Sequence, residues 1–367
     1  MDPRIEAHAE ILVDWSARVE AGDDVVVSVG PDAHELAVAV AGALGERGAN
    51  VHATYASGEL GRAYQLAHDG DFDEDPDHEL ALYERADAVL FLDGGRNTSE
   101  GSDVPPETRE AYSKARQGVR EARLDTDWVK TVHPTRSLAQ QANMSYAEYQ
   151  EFAYDAILRD WEALAAEMAK MKEVLDDGSE VRLVKEDTDL TMSIEDRVAV
   201  NSAASVAYDS HNLPSGEVFT APHATEGEVY FDVPMTIRGE RVQDVRLTFE
   251  DGEVVDYSAA QNESVVGDIL ETDAGARRLG ELGVGMNRGI DRFTDNVLFD
   301  EKMGDTVHLA LGRAYGSNFP PDREDEANAS AVHVDMITDV SEDSVLEVDG
   351  EVVQRDGTFR WEGGFDE

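Results

Sequence analysis

A histidine and an aspartate stand two residues apart in an apolar run near the end of the chain. His333 and Asp335 lie in SAVHVDMI, where apolar and polar residues alternate as in a β-strand. Residues two apart on a strand point to the same face of the sheet. A neutral imidazole and a carboxylate on one buried face form half of a divalent-metal site. The chain is therefore a candidate metalloenzyme.

A second histidine, His308, lies in the strand-like segment TVHLALG. Taken alone, it is better explained as a core histidine bonded to a backbone group. His333 and Asp335 change that interpretation, because an aspartate in an apolar strand is costly unless it is paired or metal-bound. We expect the two strands to be neighbours in one sheet. Tyr315, seven residues beyond His308, could then donate a hydrogen bond into the same cleft.

Three glutamates lie among apolar or glycine residues, unlike most acids of the chain. Glu217 lies in SGEVFTAP, Glu281 in LGELGVGMN and Glu301 in LFDEKMG. We expect Glu281 at the end of a helix that spans residues 263–282. Hard carboxylate oxygens combined with only two imidazoles suit a two-metal site better than one structural zinc. Paired metals can together activate a water molecule and polarise a carbonyl group.

The first part of the chain alternates between apolar strands and amphipathic helices. This order predicts a parallel sheet with helical crossovers. One or two long helices are expected over residues 146–176. We predict strands at 24–30, 51–56, 88–94 and 127–134, and helices at 4–21, 33–47, 79–86 and 107–122.

From about residue 180, short alternating runs separated by Gly and Asp turns predict a mostly antiparallel, strand-rich region. The predicted fold class is α/β. An N-terminal parallel-sheet α/β domain (1–178) precedes a C-terminal strand-rich α+β metal-binding domain (179–367). The first domain lacks a dinucleotide fingerprint after its first strand. The loop LDGGRN (92–97) is better explained as a tight turn than as a phosphate cradle.

The charge balance excludes some partners. Acidic residues outnumber basic ones 79 to 31, which gives a net charge of −48, and only six of the basic residues are lysine. This composition resembles that of haloarchaeal proteins, whose self-repulsion is screened at molar salt, where the Debye length is about 3 Å. No basic stripe exists to replace phosphate counterions, so nucleic acid is not an expected partner.

The sequence lacks two features, and each absence excludes a class of chemistry or a cellular location. The chain has no cysteine, which excludes disulfides, thiolate ligands and a cysteine nucleophile. The charged N-terminal segment has neither a signal-peptide core nor a membrane-spanning run. We therefore expect a cytoplasmic protein with no membrane partner.

Several motifs in order carry a resemblance to a known family. SGEVFTAP, LGELGVGMN, LFDEKMGDTVHLALGRAY and SAVHVDMI resemble the signatures of the M29 metallo-aminopeptidases, the thermophilic aminopeptidase or aminopeptidase T group. The resemblance is strongest over residues 213–337. It implies a co-catalytic pair of divalent metals, an α/β N-terminal domain and a homodimer that encloses its active sites. The implied metal ligands are Glu217, Glu281, Glu301, His308, His333 and Asp335, and the implied active-site tyrosine is Tyr315.

The reaction implied by this resemblance is removal of the N-terminal amino acid from peptide substrates by a metal-activated water. The two metals could be zinc, cobalt, manganese or magnesium. Glu281 is the expected bridging ligand, because a turn at this position would present both of its oxygens. Tyr315 would stabilise the oxyanion. Glu217 could be a metal ligand or the general base, and the sequence does not separate these roles.

Two other functions remain open at this point. His308, His333 and Asp335 alone form a two-histidine, one-carboxylate set that suits mononuclear iron(II), and some ring-opening dioxygenases resemble this peptidase family. The extra glutamates would then be idle. A non-catalytic domain whose acids merely bind salt ions would explain the charge of the chain. It would not explain why histidines and glutamates lie in apolar segments.

Overall fold

The computed structural model describes residues 1–237 and 239–365. The described chain divides into two compact units. The first contains one continuous stretch and a short later segment, and the second contains the remainder. The first unit is Met1–Arg159 with Ala204–Pro214, and the second is Asp160–Ala203 with Ser215–Glu367.

As far as residue 177, the chain consists of four strands that are connected and followed by helices. A π-helical segment, Ile11–Ser16, continues the first helix. In chain order the elements are α1 (Pro3–Glu10), β1 (Asp24–Val29), α2 (His34–Arg47), β2 (Asn50–Tyr55), α3 (Gly58–Ala67), α4 (Asp77–Tyr83), β3 (Ala88–Asp93), α5 (Pro106–Lys114), α6 (Gln117–Leu124), β4 (Asp127–Val132), α7 (Arg136–Gln141), α8 (Tyr146–Ile157) and α9 (Trp161–Asp177).

Strands dominate the remainder of the chain. Two short helices, α10 and α11, interrupt them. The elements are β5 (Glu180–Lys185), β6 (Thr188–Ser193), β7 (Val200–Ser202), β8 (Asn212–Leu213), β9 (Glu217–Thr220), β10 (His223–Phe231), β11 (Met235–Ile237), β12 (Glu240–Val242), β13 (Val245–Glu250), β14 (Glu253–Ser258), α10 (Glu263–Leu270), β15 (Leu279–Gly285), α11 (Val297–Asp300), β16 (Thr306–Gly312), β17 (His333–Asp339), β18 (Val345–Val348), β19 (Glu351–Arg355) and β20 (Thr358–Phe359).

The first unit is built on a five-stranded sheet in the order β2-β1-β3-β4-β8. All its strand pairs are parallel. Three consecutive valines of β1, residues 25–27, are buried, as expected for a strand covered on both faces. Helix α2 ends at Gly48, whose φ of +82° is the left-handed C-cap conformation that glycine adopts most easily. The predicted parallel sheet with helical crossovers is confirmed.

The second unit contains two larger antiparallel sheets. One has eight strands in the order β14-β13-β10-β6-β5-β18-β19-β20, and the other has five in the order β17-β16-β15-β9-β7. All seven residues of β15 and all seven of β16 are buried, so the smaller sheet forms part of the core. The predicted fold class, with a strand-rich second half, is confirmed. The predicted boundary near residue 178 stays a prediction, and α9, just before it, belongs to the second unit.

One predicted element is wrong in extent. The expected helix over residues 263–282 ends at Leu270, and Glu281 lies inside strand β15 instead of at a helix end. The segment LGELGVG contains glycine at positions 280, 283 and 285, and its backbone pairs with strands on both sides. Glycine disfavours helix, whereas it suits a strand that other groups must approach closely.

None of the described helices is both long enough and apolar enough to cross a membrane.

Candidate metal centre

The register of four neighbouring strands, β9, β15, β16 and β17, brings predicted ligand residues onto one face of the five-stranded sheet. Asp335 on β17 is opposite Ala310 on β16, and Ala310 is opposite Glu281 on β15. Because Ala310 has only a methyl side chain, the two carboxylates that flank it can approach each other. Glu217, on β9, is the register partner of Gly285 at the end of β15. Four strands therefore carry five of the six ligand candidates, and Glu301 lies outside them.

A glycine makes room for the central histidine. Gly283 on β15 is the register partner of His308 on β16. A Cβ atom built on Gly283 would lie 2.0 Å from Cε1 of the His308 ring. The imidazole therefore lies directly over the backbone of β15, where only glycine can be accommodated.

Glu217, Glu281 and His308 form a first triad. All three are buried, and each offers one ligand atom within 4.8 Å of the others. His308 Nε2 lies 3.0 Å from Glu281 Oε1 and 3.5 Å from Glu217 Oε2. Two carboxylates and one imidazole nitrogen around one point are a ligand set that suits a divalent cation.

Glu281, His333 and Asp335 form a second triad under the same 4.8 Å limit. His333 Nε2 lies 3.8 Å from Glu281 Oε2 and 3.5 Å from Asp335 Oδ1. Glu281 thus belongs to both triads, with Oε1 toward His308 and Oε2 toward His333. One carboxylate thus offers an oxygen to each of the two histidines. The strand at this position, and not the turn expected from the sequence, directs the two oxygens.

The backbone fixes the orientation of His333. Its Nδ1 lies 2.8 Å from the carbonyl oxygen of Arg313. A hydrogen on Nδ1 that is donated to this carbonyl leaves Nε2 with a free lone pair directed at Glu281 and Asp335. Metal-binding histidines are commonly oriented by such a hydrogen bond.

The carboxylate oxygens in the cluster fit a cation. Among the described residues, Glu217 Oε2 and Asp335 Oδ1 are buried and accept no hydrogen bond. Buried oxygens without partners are costly, and the cost is removed when a cation coordinates them. The three carboxylates and two imidazoles of the two triads form a donor set that suits hard or borderline divalent ions.

Glu301 is placed beside the cluster but in neither triad. It follows α11, and its carboxylate pairs with the ammonium group of the next residue, Lys302. A buried carboxylate holds this turn in place, since Asp300 accepts hydrogen bonds from Thr294 N at 2.8 Å and Asn296 N at 2.9 Å. Burial raises the pKa of the Asp300 carboxyl to about 7.

Lys302 is a site residue that the sequence argument missed. Its side chain is fully buried, and its Nζ lies 3.5 Å from Glu217 Oε1. Burial alone would lower the pKa of Lys302, but the carboxylates of Glu217 and Glu301 outweigh it and raise the pKa above its usual value. A charged ammonium therefore lies within the acidic cluster. The only signal in the sequence was the position of Lys302 next to a candidate ligand, in a chain with six lysines.

The acidic cluster also controls the protonation of its histidines. Burial lowers the pKa of His308, but its hydrogen bond to Glu281 and the charge of Glu217 outweigh burial and raise that pKa to about 9. For His333, Asp335 outweighs burial in the same way and raises the pKa to about 9. Burial raises the pKa of Glu281. Protons and cations therefore compete for the same atoms.

Tyr315 lies at the edge of the cluster. Its ring centroid is 5.0 Å from that of His333 and 6.1 Å from that of Phe219. Desolvation, together with the charges of Glu281 and Asp335, raises the pKa of the Tyr315 hydroxyl to about 12. The hydroxyl therefore keeps its proton at neutral pH and can donate a hydrogen bond. The residue is 38% exposed, so a substrate can reach it.

The chain is similar to several known proteins. Residues 1–359 match the family described as thermophilic metalloprotease (M29). Aminopeptidase PepS of Streptococcus thermophilus is 27% identical over 96% of this chain and 95% of its own length. Aminopeptidase 2 of Geobacillus stearothermophilus is 36% identical over 43% of this chain, and the matched region spans only 40% of that relative.

Two solved structures share the fold. Wild-type AmpT from Thermus thermophilus superposes with a TM-score of 0.83 at 24% identity, covering 98% of this chain and 99% of that one. The 2,5-dihydroxypyridine dioxygenase of Pseudomonas putida KT2440 superposes with a TM-score of 0.58 at 14% identity, covering 99% of both chains.

Proposed function

The chain belongs to the thermophilic metalloprotease family M29, and we propose that it is an aminopeptidase that removes the N-terminal residue of peptides with two divalent metal ions. One observation carries this proposal: Glu281 belongs to both ligand triads and directs one oxygen into each. The relatives named above as aminopeptidases support the reaction class.

The proposed ligands divide between two positions. Glu217 and His308 would hold one ion, His333 and Asp335 would hold the other, and Glu281 would contribute one oxygen to each. When bound, such a pair of ions supplies an activated water and polarises the carbonyl group under attack. Glu301 is proposed as a further ligand, which requires its carboxylate to leave Lys302. The ions could be zinc, cobalt, manganese or magnesium, since the donor set contains only oxygen and imidazole nitrogen.

The protein groups around these positions have separate roles. Tyr315 donates its hydroxyl hydrogen to the oxygen that gains negative charge during attack on the peptide carbonyl. Glu217 is either a ligand or the base that accepts a proton from the attacking water, because its Oε2 has no hydrogen-bond partner among the described residues.

A mononuclear iron dioxygenase is the alternative. It would use His308, His333 and Asp335 as its three ligands. Within the described residues, however, His333 and Asp335 group with Glu281, and His308 groups with Glu217 and Glu281. The superposition on a dioxygenase shows a shared fold at 14% identity and does not supply the reaction. The geometry therefore favours hydrolysis.

Metal analysis combined with a peptidase assay tests the proposal. Protein purified at high salt should contain two divalent ions per chain and hydrolyse aminoacyl p-nitroanilides. Glu281→Gln should lose both ions and at least about a thousandfold in kcat/KM, because a neutral amide cannot bridge two cations. Glu228→Gln, at an exposed position of β10, is the control and should match the unmodified protein.

Two outcomes would contradict the proposal. Full peptidase activity in the Glu281→Gln protein would remove the bridging role. A single iron ion per chain, with oxygen-dependent ring opening and no peptidase activity, would favour the dioxygenase.

We further propose that the protein acts as a cytoplasmic homodimer at high salt. The charge of −48 supports the salt requirement, because self-repulsion at low ionic strength destabilises a compact chain. The thermal midpoint should rise between 0.1 M and 2 M KCl, as measured by differential scanning fluorimetry. Light scattering at 2 M KCl should give twice the mass of one 40.2 kDa chain.

A further inference from the structure

A cavity lies in the first compact unit and shares no residue with the metal centre. It has a volume of about 340 Å³ and is lined by residues of β1, β3, β4 and α6 and by the loops that follow β1, β2 and β3. Pockets for small ligands span about 300–1,000 Å³, so this cavity suits one small molecule.

The position of the cavity in the sheet is the one where ligands are expected. In the order β2-β1-β3, the chain passes from β1 to one side and then returns to β3 on the other side. Open parallel sheets bind ligands outside the carboxyl ends of the strands at such a reversal. Gly30 and Pro31 follow β1, Asp93 ends β3 and Gly95 lies just beyond it, and all four line the cavity.

The backbone at this reversal is not free to hold a phosphate. Asp32 N donates to Gly94 O at 2.9 Å, and a Cβ on Gly94 would lie 2.6 Å from Ala33 N. The LDGGRN loop is thus closely packed against the start of α2, as its interpretation as a tight turn requires. Recognition in this cavity must come from side chains.

The side chains that line the cavity combine aromatic rings with a cation. Phe91 and Trp128 project from β3 and β4, and the indole of Trp128 stacks on His211 with centroids 4.4 Å apart and planes at 8°. The Arg123 guanidinium carbon lies 5.0 Å from the Phe91 ring centroid. Such a wall suits a flat apolar body, because aromatic rings stack on one another.

Arg123 is a positively charged group of this cavity that can attract an anion. Its Nε is buried without a hydrogen-bond partner, and no carboxylate in the described part of the chain forms an ion pair with it. Acidic residues outnumber basic ones 79 to 31 in this chain, so an arginine without an acidic partner is available for an anion from outside. Lys130 also lines the cavity, but it has Asp93 at 3.8 Å.

From these observations we propose that the cavity binds a small aromatic carboxylate. The carboxylate group pairs with Arg123, and the ring packs against Phe91 and Trp128, which contact each other edge to face with centroids 6.4 Å apart. Two sources share this chemistry: a free aromatic amino acid, of the kind a peptidase releases, and an aromatic acid without an amine. Asp93 lies where it can favour the ammonium group of the amino acid.

The test is a titration of the metal-loaded protein, followed by NMR through the indole N–H signal of Trp128. This signal is assigned by its absence from the spectrum of Trp128→Phe. The probes are 3-phenylpropionate, L-phenylalanine and phenethylamine. The two carboxylates should shift the signal saturably, and phenethylamine should not. Tighter binding of phenylalanine than of phenylpropionate identifies the amino acid as the source, and the reverse order identifies the aromatic acid.

Two variants test the assigned contacts. Arg123→Gln should weaken carboxylate binding at least about tenfold, the usual effect of losing a charge-assisted hydrogen bond. Arg120→Gln, at an exposed position of the same helix, should leave the dissociation constant within twofold. Ser28→Leu keeps every charge but fills the floor of the cavity, so it should also abolish binding. Circular dichroism checks that each variant is folded.

The proposal is overturned if neither carboxylate shifts the Trp128 signal. It is also overturned if binding persists unchanged in folded Arg123→Gln and Ser28→Leu proteins, or if phenethylamine binds as well as phenylpropionate.

Discussion

The imidazole of His308 lies over the backbone of Gly283, with Cε1 only 2.0 Å from the point that a Cβ would occupy. This close approach allows His308 to join the first ligand triad, because its ring must cross the backbone of β15 at a glycine to reach Glu281.

Gly283→Ala should displace the His308 ring and separate its Nε2 from Glu281. We expect at least a hundredfold loss of peptidase activity, since small misplacements of reacting groups carry costs of this size. Metal content, measured by mass spectrometry, should fall as well. Gly42→Ala is the control, because Gly42 lies in α2 and no atom of the described residues lies within 4 Å of an added Cβ. If Gly283→Ala kept its metals and activity, the crossing would have no functional role.

Tyr315→Phe should lower kcat about a hundredfold to a thousandfold, because in the proposed reaction the hydroxyl donates to the developing oxyanion. KM and metal content should change little, since the ring contacts with His333 and Phe219 survive the substitution. Steady-state kinetics on an aminoacyl p-nitroanilide distinguish the two parameters. A change confined to KM would assign Tyr315 to substrate binding instead.

Lys302→Met should destabilise the metal-free protein by about 3–5 kcal/mol, because it leaves the carboxylates of Glu217 and Glu301 buried without their cation. Added divalent ions should raise the free energy of unfolding more in this variant than in the unmodified protein. Chemical unfolding with EDTA or with metal, at constant KCl, measures both. Lys114→Met, at an exposed position of α5, is the matched control. Equal unfolding free energies in EDTA would show that Lys302 is not the counter-charge.

His8 predicts how stability depends on pH. It is fully buried against Thr131, with Nε2 2.7 Å from Oγ1, and burial lowers its pKa to about 3. The unfolded chain binds a proton near pH 6.5, whereas the folded one does not. The contribution is therefore complete above pH 6.5 and is lost as the pH falls toward 3.

Between pH 6.5 and pH 5, this linkage should remove about 1–2 kcal/mol of unfolding free energy. His8→Gln retains a group that can hydrogen-bond to Thr131 but does not titrate, so its loss over this interval should be smaller by that amount. Urea unfolding at both pH values, with KCl held constant, gives the difference. Parallel losses in the two proteins would exclude His8 as the source.

The sequence singled out side chains that the structure brings together, but it assigned one of them, Glu281, to the wrong element. Apolar residues alternate with His308, His333 and Asp335, and this pattern predicts buried strands at these positions. Glu281 was placed at a helix end because the segment 263–282 has helical spacing at its start, and local pattern does not show that tertiary pairing extends β15 through LGELGVG. Long-range pairing also explains why Lys302 was missed, since its burial depends on Glu217, which lies 85 positions earlier in the chain.

The ligand set depends on strand register as much as on side-chain identity. His333 and Asp335 face the cluster because they alternate with Val334 along β17, opposite Gly312 and Ala310. An inserted or deleted residue within β17 would turn one ligand and everything beyond it to the opposite face. Length changes in this strand should therefore be tolerated less well than most single replacements, and sequence drift among related enzymes should concentrate its insertions and deletions in the loops on either side.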